Sequence, residues 1–311
     1  MSAATSELRH ELGRVLDAQV ERLQRHPHDY RTSFGLETLE LVLADGRELR
    51  LVFKDLSRRS LDANARRAKP GSLHDPLREI EAYAHVLAGH ELGTAAYYGS
   101  VVDRRRDRYW LFIEDVPGVV LWQVGEHATW RAVARWLAVL HQSVRPRGRS
   151  LLRYDGELYR ASLERAREFV GAAVLNGVAG AHKRALAALE ELPAGFVHGD
   201  FYPSNVIVHE RDGGLRICPI DWEAAGVGSG LLDLAALVAG WGDGGVAELA
   251  FAYREALEQP PAEKEFLHAL DCCRLHLAVR WLGSSPDWSP PREHSQDWLG
   301  TAMRLAERLG G

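Results

Sequence analysis

The chain has 311 residues, enough to bury a large core in two domains or in two lobes of one enzyme. Its composition, 46% hydrophobic and 26% charged, is that of a soluble globular protein, and a net charge of −5 argues against a general nucleic-acid binder. Three cysteines, Cys218, Cys272 and Cys273, cannot build a disulfide framework and read as free buried thiols. No basic segment followed by an apolar run opens the chain, and no stretch approaches the roughly 18 apolar residues of a membrane span. A cytoplasmic protein is expected.

Leu8, Leu12, Val15, Leu16 and Leu23 recur at helical spacing, which predicts an amphipathic helix over residues ~6 to 25. "HPHDYRTSFG" breaks it. "LETLELVLADGRELRLVFKDL" then predicts a β-hairpin turning at Asp45-Gly46. Residues 56 to 75 form a basic connection with Arg58, Arg59, Arg66, Arg67 and Lys69, read as a solvated loop with a short helix. Asp75-Pro76 starts the next helix, with Ile80, Ala84 and Leu87 as its core stripe. "YYGSVVDRRRDRYWLFIEDVPG" predicts a second hairpin. From about residue 119 the pattern is mainly helical, over 127–144, 157–175, 178–191, 231–239, 246–257, 262–282 and 294–309, around a β-island at 205–221. A small β-rich part, residues 1–117, is therefore joined to a larger helical part, residues 118–311, with a cleft between them as the natural ligand site.

The polar residues concentrate in "FVHGDFYPSNVIV", residues 196 to 208. Val206 to Val208 and Leu215 to Ile220 read as two strands turning near Asp212-Gly213, which sets Asn205 opposite Ile220 or Asp221 at the open end of the hairpin. An amide and a carboxylate side by side suit Mg²⁺, which takes few protein ligands and leaves room for phosphates. Asp200, held nearby by the turn through Pro203, can orient a hydroxyl and accept its proton.

In the first part, Leu49, Leu51 and Phe53 face one way along "ELRLVFK" while Val52 and Lys54 face the other. Lys54 at the strand end can reach nucleotide phosphates, with Val52 beneath an adenine and Glu79 as the lysine's ion-pair partner. The strand ending "FIEDVPG" offers backbone groups at Glu114 and Val116 to the adenine edge. Taken singly these residues have plainer readings: Asp200 a turn carboxylate, Lys54 a solvated strand end, Glu79 a first-turn glutamate. His198 and His141 read as core histidines. Trp281, Trp288 and Trp298 read as packing, and Glu223 and Arg280 as possible contacts of a polar acceptor.

As an ordered set, "HGDFYPSN", "IDWE", Lys54, "REIEAY" and "IEDVPG" resemble the aminoglycoside phosphotransferase and choline kinase family of small-molecule kinases, over roughly residues 28 to 300. The resemblance implies an α+β, two-lobed protein-kinase-like fold. It makes Asp200 the catalytic base and Asn205 and Asp221 the Mg²⁺ ligands, with Lys54 on the α/β-phosphates of ATP or GTP, oriented by Glu79 rather than Glu81. His198 and Asp233 become scaffold residues, Asp233 bracing the catalytic loop. Ser33 in "RTSFG" is the candidate cover over the phosphates, since no G-x-G-x-x-G precedes Lys54, and the lack of an A-P-E segment argues against a protein kinase. The implied partners are a nucleoside triphosphate and a small hydroxyl acceptor, whether aminoglycoside or other antibiotic, sugar or amino alcohol. Neither nucleic acid nor membrane is implied, and the chain is expected as monomer or homodimer. Two other readings stay open, a metal-dependent phosphoesterase built on His198, Asp200 and Asp221, and a non-catalytic nucleotide-binding pseudokinase.

Overall fold

A computed structural model describes residues 3–28, 33–61, 71–284 and 295–310. Arg31 and Thr32 of "RTSFG", the basic residues Arg66, Arg67 and Lys69, and Trp288 lie outside the described residues.

The chain opens with helix α1, Ala3–Val15, and continues into strand β1, Val20–Pro27. Here the sequence reading overshoots. Asp17 adopts a left-handed conformation with φ 47°, which ends the helix, and Leu23 belongs to a strand instead of a fifth helical turn. The extended form gains a hydrogen-bonded neighbour in β2, Leu36–Leu43, and Arg25 of β1 clamps Glu37 across the pair through bonds of 2.6 and 2.7 Å. Helical spacing in a polar segment carries no information about such a partner.

The hairpin of β2 and β3, Glu48–Asp55, turns at Asp45-Gly46 as expected, with Gly46 at φ +85°. Strands β4, Tyr97–Asp103, and β5, Arg108–Glu114, complete an antiparallel sheet of order β1-β2-β3-β5-β4. Alternation along β3 divides its side chains as predicted. Leu51 and Phe53 pack with Leu8 and Leu12 of α1, while Val52 turns to the cluster shared with the rest of the molecule. Helix α2, Arg78–Glu81, lies between β3 and β4 and runs into a π-helical turn, Ala82–Val86. The wider turn moves the buried stripe: Ile80 and Leu87 are buried, but Ala82, Tyr83 and Val86 take the positions expected of Ala84.

After the short strand β6, Val119–Val120, the chain is mainly helical: α3, His127–Ser143; α4, Gly156–Val170; and α5, Ala172–Glu190. The break between α4 and α5 falls at Gly171, φ +93°, not near residue 176 as the spacing suggested. Strands β7, Leu152–Arg153, and β8, Gly195–Val197, form a small sheet with the later β11, Gly226–Gly228. Between them β9, Val206–Arg211, and β10, Gly214–Pro219, make the predicted island. Helices α6, Leu231–Leu237; α7, Asp243–Glu255; α8, Glu263–Leu282; and α9, Trp298–Gly310, finish the fold. All three cysteines are free and buried. Among the described residues no helix is long and apolar enough to cross a membrane.

Leu12 is fully buried between α1 and the sheet. Leu12→Ala should cost about 2–5 kcal/mol of unfolding free energy, read from the midpoint of a urea titration. A loss below ~1 kcal/mol would show that α1 is not integral to the sheet's core.

Candidate active site

Strand β8 delivers His198-Gly199-Asp200 to the cleft, and the loop is held by one buried carboxylate. Asp233, fully buried in the first turn of α6, accepts the backbone N–H groups of His198 at 2.7 Å and Gly199 at 2.8 Å. His141 of α3 approaches the same carboxylate at 3.1 Å and meets the Tyr253 hydroxyl at 2.9 Å. His141 thus belongs to the brace, beyond the packing role its sequence context suggested. Gly199 is required: at φ +79° it lies where a Cβ would come within 2.0 Å of the Tyr154 hydroxyl and 2.2 Å of the Ala224 carbonyl.

His198 uses both ring nitrogens. Its Nδ1 accepts the Asp200 N–H at 3.3 Å, and its Nε2 donates to the Ile220 carbonyl at 2.9 Å. The histidine therefore ties the loop to the end of the β9–β10 hairpin. The register there is as predicted: Val206 pairs with Pro219, and Ile220 N–H donates to the Asn205 carbonyl at 2.9 Å. Asn205 turns its amide nitrogen to the Asp200 carbonyl at 2.9 Å, which leaves Oδ1 as its outward acceptor. Asp200 itself receives Arg280 Nη2 on Oδ1 at 2.9 Å, while Oδ2 is 3.5 Å from the Asn205 amide.

Asp221 follows immediately in a left-handed conformation, φ 67°, uncommon for a residue with a Cβ. Its carboxylate is bonded to the Lys54 ammonium, which also meets Glu79 at 2.7 Å and sits 5.3 Å over the Phe34 ring. Lys54 and Glu79 are 5% and 2% exposed, so the pair lies out of solvent. Burial alone would disfavour the lysine's charge, but Asp221, Glu79 and Glu223 outweigh it and hold the ammonium well above the ordinary lysine range. One cation does not satisfy both neighbours. Burial, with repulsion from Asp221, pushes the Glu79 carboxyl up to about 7 against the pull of Lys54. Glu223 sits beside this cluster and accepts the Ser33 hydroxyl at 3.1 Å.

The predicted adenine side has a second feature. Val116 is buried and shares its cluster with Val52, Ile113, Ile207 and Ile220. The Glu114 side chain, in contrast, is taken by Arg216 of β10 at 2.6 and 2.7 Å, which holds the carboxyl below its usual range. Arg78 is a seam residue that sequence reasoning missed. It is buried and donates to the carbonyls of Leu73, Ser150 and Glu223 at 2.7–2.8 Å. Those partners lie up to 145 residues away, so no local pattern announces them. Lys54, Glu79 and Asp221 thus form one bonded group, Ser33 and Glu223 a second and Asn205, Asp200 and Arg280 a third, the first and third joined through the bond of Ile220 to Asn205, while Val52 and Val116 share the large apolar cluster.

The model of the phosphotransferase enzyme family matches residues 40–270, and the chain belongs to that family. The two-lobed kinase-like fold agrees with solved structures. A microcompartment-associated aminopropanol kinase superposes with TM-score 0.63 at 16% identity, over 98% of this chain and 95% of that one. A choline kinase from Streptococcus pneumoniae gives 0.58 at 15% identity over 99% of each chain. A spectinomycin phosphotransferase solved with ADP and spectinomycin gives 0.53 at 12% identity, over 98% and 97%. A search of curated protein sequences gives no significant match.

Glu79 makes a pH prediction. The unfolded chain releases this proton near 4.5 and the folded chain near 7, so between those values the folded state binds more protons and stability falls as pH rises. The contribution is full below about 4.5 and lost above about 7, on the order of 3 kcal/mol in all. Glu79→Gln, a neutral stand-in for the protonated carboxyl, should remove that share of the decline, so that the stabilities of variant and wild type converge toward acid pH and diverge toward alkaline pH, wild type falling lower. Parallel pH dependence in the two proteins would refute the raised carboxyl.

Proposed function

We propose that the chain is a kinase that moves the γ-phosphoryl group of a nucleoside triphosphate to a hydroxyl of a small polar molecule. The observation that carries the reading is that Asn205, bonded to Asp200, is tied through Ile220 to the neighbouring Asp221, which pairs with Lys54 beside Glu79. The nucleotide lobe comprises residues 1–117 and the catalytic and acceptor lobe residues 118–311, divided just after β5 ends at Glu114.

Asp200 is the base. Its Oδ1 is anchored by Arg280, and Oδ2 faces the reaction, where it takes the acceptor's hydroxyl proton as the new O–P bond forms. The bond from phosphorus to the bridging oxygen of the leaving nucleoside diphosphate breaks, and that oxygen keeps the electron pair. Lys54, oriented by Glu79, binds the phosphates, and Ser33 with Glu223 lies over them. Val52 and Val116 line the base pocket, with the backbone of Glu114 and Val116 at its edge. Asn205 Oδ1 and the Asp221 carboxylate are hard oxygen donors and fit Mg²⁺, which neutralises phosphate charge when bound.

Three features favour this over its rivals. A phosphoesterase using His198 as a ligand needs a ring nitrogen, and both are engaged within the loop. Among the described residues no three His, Cys, Asp or Glu side chains gather as a metal-holding group, as such an enzyme would need. A pseudokinase would lack a candidate for the base, the lysine or a metal ligand, and Asp200, Lys54, Asn205 and Asp221 are candidates for each.

Asp200→Ala should lower turnover by roughly 10²–10⁴-fold while nucleotide affinity stays within a few-fold of wild type. Nucleoside diphosphate release with Mg²⁺, alongside a nucleotide titration, measures both. Turnover within threefold of wild type would remove Asp200 from the chemistry. Lys54→Ala should raise the KM for nucleotide at least tenfold, and unchanged kinetics would return Lys54 to a structural role.

A further inference from the structure

Arg280 stands near the end of α8 and reaches into the catalytic loop. Its Nη1 donates to the Gly199 carbonyl at 3.0 Å and its Nη2 to Asp200 Oδ1 at 2.9 Å. A guanidinium carries five N–H donors in a rigid fork. The other three meet no acceptor among the described residues. The Arg280 side chain is 38% exposed and that of Asp200 28%, so the ion pair is open to an incoming group. Their surroundings are aromatic: Tyr202, two residues beyond Asp200, accepts Trp281 Nε1, and Trp281 stacks on Trp298 at 5.1 Å.

The carboxylates tell the complementary half. Glu79 and Asp221 are on Lys54, and Glu223 is on Ser33. Asp233 is filled by the two loop N–H groups and His141. Asp200 has one oxygen on Arg280 and keeps the other for the hydroxyl. Around the loop, then, the described carboxylates are committed, whereas a cationic fork beside the base has donors to offer. An ammonium group brought next to the reacting hydroxyl would meet a positive charge with no carboxylate reserved for it.

We propose that Arg280 recognises the acceptor, and that the acceptor carries an oxyanion, carboxylate or phosphate, within a few bonds of the hydroxyl that is phosphorylated. This rests on the kinase reading of the site and narrows its acceptor. The reaction itself adds a reason. When Asp200 takes the hydroxyl proton its charge is neutralised, and Arg280 loses the anion it was paired with. An oxyanion on the acceptor replaces that partner as the proton moves, so the contact strengthens along the reaction and registers in kcat as well as KM. The planar fork suits bidentate contact with either anion, and a lysine at this place supplies charge without that geometry.

The test compares acceptors that differ in one substituent. Wild-type protein with Mg²⁺ and ATP is given glycerate, glycerol phosphate, glycerol and 3-amino-1,2-propanediol. A six-carbon series follows with gluconate, glucose 6-phosphate, glucose and glucosamine, and the phosphorylated product is quantified in each case. The expected result is a kcat/KM at least tenfold higher for the anionic members than for the neutral and cationic members of the same series. Preference for the carboxylates or for the phosphate esters says which oxyanion the site takes. Arg280→Lys should keep the order with a smaller margin, and Arg280→Gln should bring anionic and neutral acceptors together while nucleotide affinity is retained. Wild-type preference for the neutral or ammonium acceptors would overturn the inference and leave the kinase reading standing. Product from none of the acceptors would overturn both. An anion preference that survives Arg280→Gln would remove Arg280 from recognition, and if that variant does not fold, the wild-type order alone decides.

Discussion

A buried ammonium governs this molecule. Lys54 comes from the third strand of the sheet, and its partners Glu79 and Asp221 come from the following helix and from the far side of the cleft. Withdrawing such charges from water costs about as much as their attraction returns, so the cluster adds little net stability. What it supplies is geometry. The ammonium is not shared between a sheet and a hairpin unless the two meet at one angle and one depth. Arg78 and Arg216 impose the same condition nearby. Arg78 ties its own segment to the carbonyls of Ser150 and Glu223, and Arg216 grips Glu114 from the opposite hairpin. Three cations thus define the seam along which the proposed substrates meet.

The second constraint is the backbone of the His198-Gly199-Asp200 loop, whose donors are met by side chains. Asp233 receives two successive N–H groups, and His198 joins the loop to Ile220. Ile220 is held from both sides, by His198 on its carbonyl and by Asn205 on its N–H. Its successor Asp221 can therefore be kept in a left-handed conformation that costs a residue with a Cβ roughly 1–2 kcal/mol. Strain of this kind persists where the surroundings over-determine it, and here it aims a carboxylate at Lys54 instead of into the hairpin.

Much of this was legible in the sequence because it depends on short-range rules. Asp45-Gly46 set a hairpin, alternation placed Val52 apart from Leu51 and Phe53, and the turn at Asp212-Gly213 put Asn205 level with Ile220. The failures share a cause. Residues 20–27 became an edge strand because β2 lies beside them, and Ala84 lost its core position to a π-turn. Arg78, Arg216 and His141 act on partners about 70 to 145 residues away. Local pattern reports what a residue prefers, and it is silent about which distant carbonyl or carboxylate the fold will bring to it.

The charges around Lys54 also bear on how one set of residues can stand folded and still receive the highly charged substrates proposed for it. Lys54 and Asp221 satisfy each other, and in the proposed reaction each has another partner of the same sign: phosphate for the lysine and Mg²⁺ for the aspartate. Binding the two together exchanges one pairing for two, with no buried charge left alone at any stage. Mg²⁺ alone would still leave Lys54 its pairing with Glu79, whereas phosphate alone would leave the Asp221 carboxylate, 15% exposed, beside the incoming charge without its cation. The same logic extends to Arg280 and Asp200, an ion pair whose negative member would be neutralised if Asp200 acts as the proposed base. Under the proposed reaction the contact seen in each place holds the position that a substrate group would take, which ties the stability of these pairs to the charge pattern of the proposed substrates.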